Sequence, residues 1–370
     1  MKKIIFCLIA IPAAVSVGQV QPFRLQSDRI GTCQAVYESW KAKDDKITEF
    51  AFPFSVVFPF GDKTKVYAIT APAFSNLDTG VKYSLGGLSD LKIGGHSLML
   101  NDKLLLTYGL NLPTGKHALT SEQYPVAGVL AMPAFNFRVP TMGQGLDVQA
   151  GLNGAGELGD FVVGYGATFL MKGPFKPFDG VKDSYNPGDE ITFALGADRD
   201  AVLMGKEMKL TADVLYTMYF HDTWGEKKVF QSGNRIWIQL MSSFKINEND
   251  VVVLIRERIK GKNKTNTGEV FDLERKNSNA NQFEIQAYLY APPKNDMQLY
   301  GTAEFRMYSK NAFGAGGATL FGPGGGIRKQ TSPNMTLTGE ARIYFGNVNT
   351  GTKSVSTTGF KIAGGVEYLF

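Results

Sequence analysis

The last stretch of the chain, TGFKIAGGVEYLF (358–370), alternates apolar with polar or small residues and ends on an aromatic residue. In a strand, successive side chains point to opposite faces. One face therefore carries Phe360, Ile362, Gly364, Val366, Tyr368 and Phe370, and the other carries Lys361, Ala363, Gly365, Glu367 and Leu369. The end of the chain thus predicts a strand with one apolar face.

This ending resembles the C-terminal signal that bacterial outer-membrane barrels present to their assembly machinery. Gly365, Tyr368 and Phe370 stand in the expected places, and Ala363 stands where that signal usually has a polar residue. We therefore expect the barrel assembly machinery to be a partner of this chain and outer-membrane lipid to surround it.

The stretch FAFPFSVVFPF (50–60) places five phenylalanines on one face of an extended strand. Lipid tails accept such a face without a matching core, and rings near strand ends suit the interfacial aromatic girdles. Pro53 and Pro59 fall on the opposite face, and a proline removes a donor from the ladder. We expect a bulge or irregular pairing here, or else an amphipathic strand buried under the N-terminal segment.

The same alternation recurs along most of the chain. It is clearest at 208–221, 235–246, 282–290, 298–308 and 336–345. A soluble sandwich and an outer-membrane barrel both produce this pattern. Many runs exceed the about five or six residues of a typical soluble strand, and short turns alternate with long loops, which favours the barrel.

The predicted fold class is all-β: a transmembrane antiparallel up-and-down β-barrel of about 14 strands, with 12 or 16 as alternatives. Bacterial single-chain barrels have even strand numbers. The count is open because the alternation of short and long connections fails between residues 115 and 190.

The N-terminus, MKKIIFCLIAIPAAVSVGQ, has two lysines, a short apolar run and small residues near Gly18. This is typical of a secretory signal peptide at 1–18. Residues 19–46 do not alternate, so we expect a periplasmic extension, a short helix or a plug in the lumen, and we place the barrel at 47–370. Cys33 is then the one remaining cysteine.

The formal net charge of +5 is small and scattered, so the sequence does not indicate a nucleic-acid partner. His96, His117 and His221 do not lie beside a nucleophile in any known catalytic pattern. Gly154–Gly159 fits GxGxxG, but strands flank it on both sides, so we expect a hairpin turn. We expect no enzyme, no cofactor and no metal site.

The informative charges lie opposite the aliphatic residues of the long strands, which places them inside a barrel. The lumen-lining candidates are Arg256, Arg258, Glu284, Glu304, Arg306, Glu340, Arg342, Lys361 and Glu367. They either pair to hold the barrel's shape or line water and bias the permeant charge. We expect Arg306 and Arg342 to pair with Glu284, Glu304 and Glu340 and to narrow the pore.

Two motifs resemble the family labelled as the putative MetA pathway of phenol degradation, a broad set of outer-membrane porin-like proteins. Gly87-Leu88-Ser89-Asp90-Leu91 departs at one position from a Gly-Leu-Gly-Asp-Leu start, and Leu112-Pro113-Thr114-Gly115 matches a Leu-Pro-Thr-Gly loop. YNPGDEITFALGA (185–197) is also similar to a later segment. The resemblance implies a transport or channel role.

The sequence therefore predicts a porin-like channel for passive uptake of small solutes in the outer membrane of a Gram-negative bacterium. Inward-facing tyrosines favour hydrophobic or aromatic solutes: Tyr219, Tyr288, Tyr290, Tyr300, Tyr308 and Tyr344. The alternative is a barrel without transport, with a plugged lumen, that serves a structural or surface-interaction role.

Overall fold

The computed structural model describes residues 29–370 except 101, 204, 267, 269, 351 and 352. The helix α1 is Tyr124–Leu130. The strands are β1 (Ile30–Ala42), β2 (Asp45–Ala51), β3 (Phe54–Phe60), β4 (Thr64–Thr70), β5 (Pro72–Asp78), β6 (Lys82–Leu88), β7 (Leu91–Met99), β8 (Leu104–Leu112), β9 (Asp147–Leu158), β10 (Phe161–Lys172), β11 (Tyr185–Asn186), β12 (Glu190–Leu203), β13 (Lys206–Tyr219), β14 (His221–Trp224), β15 (Lys227–Gln231), β16 (Arg235–Ile246), β17 (Asn249–Lys260), β18 (Lys264–Asn266), β19 (Phe271–Leu273), β20 (Gln282–Tyr290), β21 (Met297–Tyr308), β22 (Ala318–Ser332), β23 (Met335–Thr350) and β24 (Lys353–Leu369).

Within the described chain, 16 antiparallel strands close into a barrel and three more, β2, β5 and β6, extend the same sheet. The order round the wall is β1, β3, β4, β7, β8, β9, β10, β12, β13, β16, β17, β20, β21, β22, β23 and β24. β24 pairs with β1 from Leu369↔Ile30 to Thr357↔Ala42, which closes the wall. The all-β barrel class is confirmed, with 16 strands, one of the alternatives, rather than 14.

The three extra strands are continuations of wall strands. β2 and β3 lie end to end beside β1, since Val36 to Ala42 pair with β2 and Ile30 to Cys33 pair with β3. The irregularity expected from the prolines falls between these strands, where the Gln34 amide donates to the Pro53 carbonyl at 3.0 Å. β5 continues β4 and β6 continues β7 in the same way.

Part of the predicted N-terminal segment belongs to the wall. Within 19–46, Ile30–Ala42 forms β1 and pairs along its whole length with the last strand. The expectation of a plug or periplasmic extension is therefore wrong for residues 30–46, because the partly alternating β1 fills the gap beside β24. The predicted signal peptide at 1–18, and residues 19–28, lie outside the described residues.

The two ends of the barrel differ. We call the end with the β3–β4, β9–β10 and β16–β17 connections the turn end, and the opposite end the loop end. Residues 113–146, 173–189, 220–234 and 261–281 connect strands at the loop end. The predicted hairpin turn at Gly154–Gly159 is present at its last residue: Gly159 lies in the β9–β10 turn at φ +60°, and the residues before it belong to β9. A second sheet, β11, β14, β15, β18 and β19, is built from the loop-end connections.

The outward face of the wall is apolar. Phe54 is 47% exposed, Phe60 63% and Ile343 64%. Their immediate neighbours along each strand point inward. An apolar band round a closed barrel without a free sheet edge is what a bilayer requires of a spanning β-structure.

The described residues include no helix with the length and apolar character needed to cross a membrane.

Candidate functional site: the barrel lumen

The inner wall at β20–β23 carries a buried cluster of charges. Arg306 Nε lies 2.5 Å from Glu304 Oε1 and 3.8 Å from Glu284 Oε1. Arg342 bridges Glu304 Oε2 at 2.5 Å and Glu340 Oε1 at 3.1 Å. The predicted pairing of the two arginines with three glutamates is therefore present. We call these five residues, with Arg256, the charge cluster.

Glycines in β22 allow this cluster to form. Strands β21 and β23 are separated by β22, whose inward positions beside the charges are Gly322, Gly324 and Gly326. A Cβ at Gly322 would lie 2.5 Å from the Tyr344 ring, and one at Gly324 would lie 2.7 Å from Arg342. Side chains from β21 and β23 thus meet directly across a strand that has none there.

Tyrosine hydroxyls add hydrogen bonds to the glutamates of the cluster. Tyr344 donates to Glu304 at 3.2 Å and Tyr300 donates to Glu340 at 2.9 Å. Tyr288, Tyr308 and Tyr344 are buried. These tyrosines, expected to favour hydrophobic solutes, are therefore occupied by the cluster or its neighbours rather than facing an open lumen.

The other predicted lumen residues lie elsewhere on the wall. Arg256 sits at the edge of the charge cluster, 3.6 Å from Glu284. Lys361 lies beside the charge cluster as the cross-strand partner of Arg342, but it pairs with Glu38 at 2.7 Å. Glu367 pairs with Arg328 at 2.9 Å, away from the cluster. Arg258 does not join any of these pairs.

A long connection folds into the lumen, and the sequence did not reveal it. Residues 113–146, which we call the inserted segment, join β8 to β9 and contain α1. Its buried side chains pack on inward-facing residues of β1, β2, β5 and β6 and of β21–β23. The residues that the segment contributes to this core are Val126, Leu130, Ala134, Phe135, Phe137, Val139 and Met142. The lumen thus holds a hydrophobic core on one side.

Asp90 holds the two ends of the inserted segment together. Its carboxylate accepts hydrogen bonds from the Gly115 amide at 2.8 Å, the Gln144 amide at 2.8 Å and Asn111 Nδ2 at 3.0 Å. Asp90 lies at the break between β6 and β7. The broken wall strand therefore supplies the anchor for the segment that enters there.

The far end of the segment is held by the charge cluster. Arg306 Nη1 donates to the carbonyls of Ala134 at 3.1 Å and Phe135 at 3.2 Å, and Tyr308 donates to Pro133 O at 2.7 Å. β21 lies eight positions from β8 round the 16-strand wall, so the segment crosses the lumen to the opposite side.

A second group of contacts fixes the segment to β1 and β2. The Val139 amide donates to Glu49 at 3.0 Å, and Arg138 Nη2 to Gln34 at 3.5 Å. Burial lowers the pKa of Arg138, and the nearby Glu38 and Glu49 oppose that shift. The Trp40 ring lies 5.0 Å from the Phe135 ring.

The wall at β13–β17 lacks this cover. Arg235, Trp237, Gln239, Arg258 and Lys260 point inward and remain half-buried. These five side chains are therefore less buried than the charges at β20–β23, although Thr217 of β13 and Leu254 of β17 are themselves buried.

The three histidines lie apart in the fold. His96 is in β7, His117 is in the inserted segment, and His221 is in β14. The part of the chain that the structure describes contains no group of three or more His, Cys, Asp or Glu side chains arranged to hold a metal ion.

The fold defines a membrane-spanning β-barrel with a folded-in connection. No family model matches the chain and no curated protein matches it. The resemblance to the putative MetA family therefore stays a prediction.

Solved structures of outer-membrane barrels are similar in shape. Pseudomonas aeruginosa OccK11 (OpdR) is 10% identical with a TM-score of 0.46, over 93% of this chain and 96% of that chain. OpdK of the same species, solved with vanillate, is 8% identical with a TM-score of 0.46, over 93% and 99%. The CymD monoaromatic hydrocarbon channel is 11% identical with a TM-score of 0.44, over 93% and 89%.

Proposed function

We propose that the protein is a porin-like channel in the outer membrane of a Gram-negative bacterium, through which small solutes diffuse passively. One observation carries the proposal, and it concerns the lumen of this closed barrel with an apolar outer face. The inserted segment fills one side of the lumen, and half-buried polar residues of β16 and β17 line the other side. A wall that served only as a scaffold does not need a solvated polar inner surface.

The inserted segment sets the width of the passage in this proposal. It crosses the lumen from β8 to β21 and fills the space beside β1, β2, β5 and β6. In this proposal the passage runs between the inserted segment and the inner faces of β13, β16 and β17. Such a narrowed lumen suits small solutes rather than folded proteins or long polymers.

The chain's arrangement also supports an outer-membrane orientation. The first and last wall strands begin and end at the turn end, and the longer connections lie at the loop end. Outer-membrane barrels have short periplasmic turns and longer extracellular loops. We infer that the loop end faces outward and that the assembly machinery recognises the terminal Gly365, Tyr368 and Phe370.

The hydrophobic core inside the lumen favours a second candidate, a plugged barrel without transport. Phe137 and Leu130 are each 1% exposed, so side chains of the segment are as fully buried as those of a soluble core. The two candidates differ in whether the space beside β13–β17 reaches both ends of the barrel.

Planar-bilayer recording distinguishes the two. We expect purified protein to insert in discrete steps of steady, ohmic conductance. Deletion of residues 120–140 widens the lumen and raises that conductance, provided that the variant still shows heat-modifiable gel migration. Silence of the full chain together with large steps from the deletion variant indicates a plugged barrel.

A further inference from the structure

The inner wall at the loop end carries three cations that the charge cluster does not use. Arg235 and Lys260 are direct cross-strand partners on β16 and β17, and Arg258 lies on the same face of β17, two positions before Lys260. Directly opposed residues on one face have Cβ atoms about 4.5–5.5 Å apart. Three like charges are thus held side by side, an arrangement that costs free energy unless an anion joins them.

Acidic partners for these cations are absent among the described residues. Lys260 has no side-chain hydrogen bond or ion pair, and the Arg258 Nε is buried without a partner. Arg235 reaches only the Thr217 hydroxyl at 3.4 Å and the Tyr219 ring at 5.7 Å.

The nearest carboxylates are engaged elsewhere. Glu190 pairs with Lys172 at 2.5 Å, two strands further round the wall. Glu274 accepts the amides of Asn263 at 2.8 Å and Ser278 at 3.0 Å within its own loop. Glu190 and Glu274 attract Lys260 only from a distance. None of the three cations therefore has a direct ion pair with a described carboxylate, unlike the arginines of the charge cluster.

Aromatic groups flank the cations. Trp237 is the cross-strand partner of Arg258, and Tyr219 lies under Arg235. Two guanidinium groups suit a carboxylate, because each offers paired N–H donors in a planar fork. The neighbouring rings supply apolar surface for the body of an organic acid.

We propose that Arg235, Arg258 and Lys260 form a binding site for the carboxylate of small organic anions at the loop-end mouth of the lumen. The site captures the anion from outside and makes the channel anion-selective. This inference rests on the proposed channel function and names its solute class.

The test uses benzoate as the anion and benzamide as an uncharged control of the same shape. Equilibrium dialysis with labelled benzoate measures binding to the detergent-solubilised protein, and bilayer recording measures benzoate block and the reversal potential in a KCl gradient. We expect saturable benzoate binding, weaker benzamide binding and a reversal potential on the anion side.

Charge-neutralising variants give the decisive comparison. Arg258→Gln and Lys260→Gln should each raise the dissociation constant for benzoate by about fivefold. That factor corresponds to the loss of one Coulomb attraction between unit charges about 4 Å apart in water. The double variant should also lose anion selectivity. Lys227→Gln, an exposed lysine of β15 outside the lumen, is the matched control and should change neither.

The outcomes separate this inference from the channel function. Steady conductance with equal benzoate binding in the wild type and the double variant overturns the anion site and leaves the channel intact. Benzoate binding that depends on Arg258 and Lys260 in a protein without conductance supports the site and overturns the channel. Heat-modifiable migration confirms that each variant is folded.

Discussion

Arg306 anchors the far end of the inserted segment to β21. Its guanidinium donates to the carbonyls of Ala134 and Phe135 at 3.1 and 3.2 Å and also pairs with Glu304. Replacing it with alanine removes both carbonyl contacts and leaves two carboxylates, Glu284 and Glu304, facing each other in a buried site. The segment should then detach from β21.

The magnitude follows from those contacts. A hydrogen bond to a charged group contributes about 1.5–3 kcal/mol, so two contribute about 3–6 kcal/mol to holding the segment. Because a carbonyl that is released can bind water, we take the lower end, about 3 kcal/mol. That shifts the ratio of detached to attached segment by about a hundredfold, since 1.4 kcal/mol is a factor of ten.

Single-channel recording of Arg306→Ala measures this change. We expect a higher mean conductance with more open-channel noise, and the double variant with Arg342→Ala should also shift selectivity toward cations. Arg328→Ala is the control: its pair with Glu367 does not touch the segment, and it should keep wild-type conductance. Wild-type conductance and noise in a heat-modifiable Arg306→Ala barrel would refute the assigned role of Arg306.

Three further predictions concern the barrel itself. The protein should fractionate with the outer membrane and migrate differently on a gel before and after boiling, because a closed barrel has no free edge at which to unzip; identical migration and a soluble periplasmic location would exclude a barrel. Gly324→Ala should reduce the free energy of unfolding by the cost of overpacking, about 1–3 kcal/mol, and so lower the unfolding temperature. Gly301→Ala, with open space at its Cβ, should leave the unfolding temperature unchanged. Deleting Phe370 should reduce outer-membrane levels in cells far more than it lowers the stability of folded protein; normal levels would show that it is not a recognition signal.

The wall was predictable because its signal is local. Lipid outside and polar groups inside impose a period of two on every strand, and the inward charges of β20, β21 and β23 were identified from that period alone. The strand count was harder. The breaks beside Pro53 and Pro72 divide single long wall strands into shorter pairs, and a reader of the sequence cannot tell a break from a turn.

The inserted segment escaped prediction because its partners are distant in sequence. Arg306 contacts a carbonyl 172 residues away. One local signal could have revealed it: β2 and β5 each carry large apolar side chains on both faces, with Phe50 and Phe74 outside and Ile47 and Leu77 inside. A barrel strand with an apolar inner face must be covered from within, and the apolar residues of the connection at 133–139 are its natural cover.

Ion pairing, rather than position on the strand, distinguishes the charges that hold the inserted segment from those of the proposed anion site. The charge cluster holds three arginines and three glutamates, so its members cancel: Arg256, Arg306 and Arg342 against Glu284, Glu304 and Glu340. A neutral, buried cluster exerts only a weak net electric field on an ion in the lumen. Its role is to hold the inserted segment in place. Arg258 shows the same alternation in the sequence and the same inward direction, but it has no acidic partner. The sequence pattern places both kinds of arginine on one face, and only the three-dimensional contacts show which of them has an acidic partner.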